Sequence, residues 1–202
     1  MKRQIDSSLL DCAIVFAVRA HRNVERKGKG FPYIVHPMEA MSIVATMTDD
    51  QELLAAAALH DVVEDTDTTV DDLRREFGER VAQLVEAESD IQIDESRADS
   101  WHKRKEVAIE RLANASRDAK IIALGDKLSN MRAIARDYVL QGDALWNIFN
   151  VKDRKEHEWH YRGLAASLHD LHDTFAYQEF ERLINQVFCQ LKNKIETNDG
   201  VR

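Results

Sequence analysis

Apolar residues recur at three- and four-residue intervals through almost the whole chain, with little of the two-residue alternation of half-buried strands, so the pattern predicts an all-α fold. Two prolines and seven glycines leave few places where a helix must break. The first helix is expected from Ser7 or Ser8 to Arg22, burying Leu9, Cys12, Phe16 and Val18 or their neighbours and stopping near Gly28 and Gly30. Pro37 suits a first helical position, which predicts a helix over 37–47 with His36 just ahead of it. Asp49 followed by Glu52 reads as a capping box for a helix through the alanines at 55–58 to about Glu64, and so small a face implies close packing against neighbours. Thr69 and Asp72 open a further helix that ends near Gly78, another covers 79–88, and 89–99 reads as a polar loop. Segments 101–114, 117–137, 142–150, 153–170 and 174–194 complete about nine or ten helices, with a tail that frays after Ile195. No repeat or linker interrupts this pattern, so residues 1–202 are expected to form one domain.

Composition narrows the function. Hydrophobic residues make up 44% and charged residues 32%, the balance of a soluble globular protein rather than a disordered one. A net charge of −8 argues against a nucleic-acid coat, because a polyanion needs an excess of Lys and Arg on the contacting face. Any phosphate site must therefore be local, and Arg26, Lys27 and Lys29 form one basic cluster while Lys103, Arg104 and Lys105 form another. With only Cys12 and Cys189, and no apolar run at the N-terminus, the expected setting is a reducing cytoplasm with no membrane partner.

Candidate chemistry concentrates where polar residues interrupt apolar helices. His60-Asp61-Val62-Val63-Glu64-Asp65 closes the alanine-rich helix, and imidazole and carboxylate are both good ligands for divalent transition metals. Continuous helical spacing would set Glu64 four residues from His60 and Asp65 four from Asp61, around one cavity. Asp126 follows the apolar run Ile121-Ile122-Ala123-Leu124-Gly125, and a buried carboxylate there needs a partner: a metal, Lys127, Arg132 or a helix cap. Gly125 costs about 1 kcal/mol in a helix relative to Ala, so it marks a place where space is needed. Asn130 shares the face of Asp126. His157, His160, His169 and His172 lie among Trp159, Tyr161, Leu164 and Leu168, which favours packing and surface roles over a second metal.

Arg26-Lys27, Tyr33-Ile34-Val35-His36-Pro37, His60-Asp61-Val62-Val63-Glu64-Asp65-Thr66, Phe77-Gly78 and Gly125-Asp126-Lys127-Leu128-Ser129-Asn130-Met131-Arg132 together resemble the hydrolase domain of RelA/SpoT alarmone enzymes. Among these it is most similar to the stand-alone small hydrolases of the HD superfamily. The resemblance implies an HD-domain helical fold around one Mn2+ ion and hydrolysis of the 3′-pyrophosphate of guanosine tetra- or pentaphosphate, giving GDP or GTP plus pyrophosphate. It assigns His36, His60, Asp61 and Asp126 to the metal, Glu64 and Asp65 to catalysis, and Arg26, Lys27 and Asn130 to the nucleotide and its phosphates. Lys29 joins the substrate set because the loop from Lys27 to His36 is one residue longer than the family pattern. Glu88-Ser89-Asp90 departs from that pattern as well, and His21, which matches the family's Ala-His pair, is left outside the ligand set. Two rival readings stand beside this one. The same metal site suits removal of phosphate from another nucleotide such as NADPH, and a metal-stabilised nucleotide-binding module would need no turnover.

Overall fold

The computed structural model describes residues 6–88 and 100–189. These form ten α-helices: α1 (Ser8–Ala20), α2 (Val35–Val44), α3 (Gln51–Leu59), α4 (Val62–Asp65), α5 (Val70–Phe77), α6 (Glu79–Glu88), α7 (Trp101–Ala113), α8 (Arg117–Gln141), α9 (Arg154–Ser167) and α10 (Phe175–Phe188). Two 3-10 segments, Gly142–Ile148 and His169–Leu171, flank α9. Among the described residues there is no strand, only an isolated bridge between Glu25 and Pro32.

Helix α8 is the axis. Its 25 residues carry apolar side chains on every side, as a helix enclosed by others must. It packs on α2 and α10 most extensively, and also on α3 and α6. The alanines at 55–58 are all fully buried and let α3 lie close to α1, which answers with Ala13 and Ala17. Sequence capping signals are partly realised. Thr69 and Asp72 form the expected capping box, and Gly78 ends α5 at φ +90°. Asp153 and Thr174 cap α9 and α10.

Several boundaries differ from the sequence reading. The cap of α3 is Asp50, whose carboxylate accepts from Glu52 N at 2.9 Å, so Asp49 is displaced from that role by one residue. The helix expected to run to Glu64 stops at Leu59 and resumes at Val62, and the segment expected over 142–150 is a 3-10 helix over Gly142–Ile148 rather than α. Helix α2 begins at Val35, which places His36 inside its first turn rather than ahead of it. The buried face of α1 is also rotated: Cys12 is exposed and Val18 is 46% exposed, because the close contact with α3 selects the small residues at 13 and 17. The polar loop over 89–99, Ser89 and Asp90 of the departing motif, and the tail after Ile195 lie outside the described residues.

Candidate active site

The interruption between α3 and α4 is what delivers His60 and Asp61 to a single point. His60 follows the last turn of α3, and its Nδ1 lies 2.8 Å from the carbonyl oxygen of Ala57. A carbonyl only accepts, so that nitrogen carries the proton and Nε2 presents its lone pair. His36 reaches the same state by a longer route. Its Nδ1 is 2.9 Å from Ser129 Oγ, and Ser129 donates its one hydroxyl proton to Glu39 at 2.8 Å. Ser129 must therefore accept from His36, which leaves the Nε2 of His36 free as well.

Both Nε2 atoms face carboxylates. That of His36 is 3.1 Å from Asp126 Oδ1 and 3.4 Å from Asp61 Oδ2. That of His60 is 3.1 Å from Asp61 Oδ2 and 3.7 Å from Asp126 Oδ1. Ligand atoms of His36, His60 and Asp126 all lie within 4.8 Å of one another, and these three residues are buried. His60 Nε2 is buried without a hydrogen-bond partner, as expected of a donor aimed at an ion. Two imidazole lone pairs set against two carboxylates repel unless positive charge lies among them, so this donor set fits a divalent cation. The electrostatics agree. Burial opposes charge on His60, but Asp61 and Asp126 outweigh it and raise its pKa well above the ordinary value. Burial likewise pushes both carboxyls upward, yet His60 with His36 beside Asp61, and Lys127 with both imidazoles beside Asp126, hold them well below the carboxylate range.

The surrounding groups hold both carboxylates. Tyr33 donates to Asp61 Oδ2 at 2.7 Å, and burial together with Asp61 pushes its phenol far up, so it stays a donor. Lys127 pairs with Asp126 Oδ2, and Asn130 donates to Asp126 Oδ1. The sequence alternative of Lys127 as the partner of Asp126 thus holds for one oxygen, while the other faces the imidazoles. Glu88 sits 3.7 Å from Lys127, its pKa raised by burial in spite of that neighbour.

Beyond Asn130 the site opens into a cavity of ≈ 290 Å³ lined by Arg26, Lys27 and Lys29 on one wall and by Trp101, Phe149 and Tyr161 on another. The basic loop is held as a small hairpin, with Arg26 N bonded to Phe31 O and Tyr33 N to Val24 O, and Gly28 and Gly30 turn it at positive φ. Arg26 Nη2 donates to Asn130 Oδ1, joining this loop to the face of α8 that carries Asp126. Lys27 is exposed at the rim, whereas Lys29 is paired with Asp137.

The four sequence-predicted ligands are therefore brought together, and Arg26 and Asn130 meet beside them. Glu64 and Asp65 are exposed on α4. The break at His60 removes the continuous helical spacing that was expected to relate these carboxylates to the ligands. Of the later histidines, His157 is buried, stacks on Trp146 at 4.9 Å and meets Val151 O at 2.8 Å. Sequence reasoning missed Glu39, and it quoted Tyr33, Glu88 and Ser129 without giving them a role, because their partners lie on other elements.

The HD domain family model matches residues 13–149. The chain is 40% identical over 125 residues to human guanosine-3′,5′-bis(diphosphate) 3′-pyrophosphohydrolase MESH1, a match covering 60% of this chain and 66% of that protein. It is 36% identical over 124 residues to the guanosine-3′,5′-bis(diphosphate) 3′-pyrophosphohydrolase of Aquifex aeolicus, covering 60% of this chain and 17% of that protein. The chain thus spans just under two thirds of the human relative's length. A solved structure of a metazoan ortholog of SpoT that hydrolyzes ppGpp superposes with a TM-score of 0.68 at 25% identity, covering 93% of this chain and 98% of the other. A Listeria monocytogenes EGD-e structure gives a TM-score of 0.67 at 26% identity over 79% of this chain and 99% of the other. That family match spans more than half of the chain, and with two histidines and two aspartates converging in an all-helical frame the chain belongs to the HD domain family.

Proposed function

We propose that this chain is a single-domain, cytoplasmic, Mn2+-dependent hydrolase that removes the 3′-pyrophosphate of guanosine tetra- or pentaphosphate, with His36, His60, Asp61 and Asp126 holding the metal. The observation that carries the reading is the meeting of two Nε2 lone pairs with Asp61 and Asp126 next to a cavity walled by Arg26, Lys27 and Lys29. Support for the substrate comes from the relatives named above, which bear the name of that activity. Free, exposed Cys12 and Cys189 suit a reducing compartment, and among the described residues no helix is long and apolar enough to cross a membrane.

A divalent ion at this centre supplies Lewis acidity and a water that is nucleophilic near neutral pH. The protein's own groups do the rest. Arg26, Lys27 and Lys29 bind and neutralise the phosphate oxygens within an otherwise acidic chain. Asn130, bonded both to Arg26 and to Asp126, sets the nucleotide at a fixed distance from the ligand cluster. Glu64 or Asp65 takes the proton of the attacking water and returns one to the departing oxygen. The bond between phosphorus and the 3′ oxygen breaks as the new bond to the water oxygen forms, giving GDP or GTP and pyrophosphate.

The test is turnover by Mn2+-reconstituted full chain against a nucleotide panel, read by chromatography. The expected products are the matching nucleotide and pyrophosphate, with loss of turnover on chelation. Orthophosphate released from NADPH, with neither alarmone consumed, would overturn the substrate assignment and leave the metal site standing. Metal binding without any turnover would make the chain a binding module.

A further inference from the structure

One run of hydrogen bonds leads away from the metal cluster, between two ligand-bearing helices. His36 Nδ1 donates to Ser129 Oγ at 2.9 Å, Ser129 donates to Glu39 Oε2 at 2.8 Å, and Glu39 Oε1 accepts from Arg132 Nη1 at 3.2 Å. Arg132 then holds Glu179 on α10 through two bonds of 2.9 and 2.7 Å. Ser129 lies three residues after Asp126 and Glu39 three after His36, so each stands one turn along the face of its own ligand. Ser129 is 2% exposed and His36 4% exposed, so the bond between them is buried.

We infer that Ser129 and Glu39 are positioning residues that fix the tautomer and ring orientation of His36, and that Arg132 anchors them to α10. The inference rests on the metal reading above. Bond direction is the physical reason. Glu39 accepts from a hydroxyl through one oxygen and from a guanidinium through the other, which commits the Ser129 proton outward and makes His36 donate through Nδ1. Its Nε2 is then available to a cation in one orientation only, and the anion at the far end of the chain strengthens it as a ligand. His60 obtains the same outcome from a backbone carbonyl, which substitution cannot remove, so the relay is the adjustable half of the site.

Isothermal titration of the full chain with Mn2+ tests this, with thermal unfolding of each variant measured in parallel. Ser129→Ala should weaken Mn2+ binding about tenfold to a hundredfold, and Ser129→Thr should restore it. Glu39→Ala, at a half-buried position, should weaken binding about tenfold. A merely structural cross-link between α2 and α8 would instead lower the melting temperature and leave the affinity of the folded protein unchanged, and that result overturns the proposal. Equal weakening by Ser129→Thr and Ser129→Ala overturns it too. Wild-type protein that binds no Mn2+, or an Asp126→Ala variant that binds it fully, would overturn the metal reading itself.

Discussion

A Cβ placed on Gly125 would lie 2.8 Å from the carbonyl oxygen of Ala40 and 2.7 Å from Val44 Cγ2, so α8 meets α2 at a distance only glycine permits. This contact holds Asp126 against His36. Alanine would gain about 1 kcal/mol of helix propensity, yet one of the two obstructing atoms, the Ala40 oxygen, is backbone and cannot swing aside. Overpacking of this kind costs about 1–3 kcal/mol, so Gly125→Ala should lower the melting temperature and weaken metal binding together. Gly163 is the internal control: its Cβ would meet Ile109 Cδ1, the mobile end of a side chain, and Gly163→Ala should be tolerated. Equal stability of both variants in thermal denaturation would contradict the close-contact argument.

Removing Asp126 should abolish tight metal occupancy, because the remaining donors then lack the carboxylate that closes the group with His36 and His60. Elemental analysis of folded Asp126→Ala protein should find the metal lost, and turnover should vanish with it.

Glu64→Gln and Asp65→Asn should keep metal and lose rate, since both side chains sit on α4 outside the ligand cluster. The expected loss in kcat is about 10²–10⁴-fold for a group that carries a proton in the transition state. A variant with wild-type kcat on the true substrate has no proton-transfer role.

Arg80 bonds Asp50 at 2.8 Å, Glu52 at 2.5 Å and Asp118 at 2.9 Å, tying α6 to the starts of α3 and α8. Burial raises the pKa of Asp50, but the Arg80 hydrogen bond and the Glu52 backbone N–H outweigh it and leave it depressed. A depressed carboxyl contributes stability above its unfolded pKa and loses it as pH falls through the folded value. Arg80→Met should therefore cost about 1 kcal/mol near neutral pH, with the side chain 41% exposed. The difference from wild type should shrink in acid and in high salt. Denaturant melts across pH check both, and a pH-independent difference would point to lost packing instead.

The helical class, most element positions and three candidate ligands are written locally in the sequence, while His36 joins them only through the family resemblance. Apolar spacing encodes helices, Thr69 with Asp72 encodes a cap, and His60, Asp61 and Asp126 stand out as polar groups intruding on apolar runs. What the sequence leaves open is decided by which helices touch. Whether α1 buries Cys12 or Ala13 depends on the narrow alanine face of α3, and whether Asp49 or Asp50 caps that helix depends on one residue of register. The break after Leu59 sets the ligand geometry, though no proline or glycine announces it. Arg26 meets Asn130 across 104 residues and Ser129 meets Glu39 across 90, and periodicity within either helix carries no record of such pairings. Short-range backbone preferences repeat every few residues and are legible one element at a time; the donor directions that turn two histidines toward one point arise only when α2, α3 and α8 are packed together.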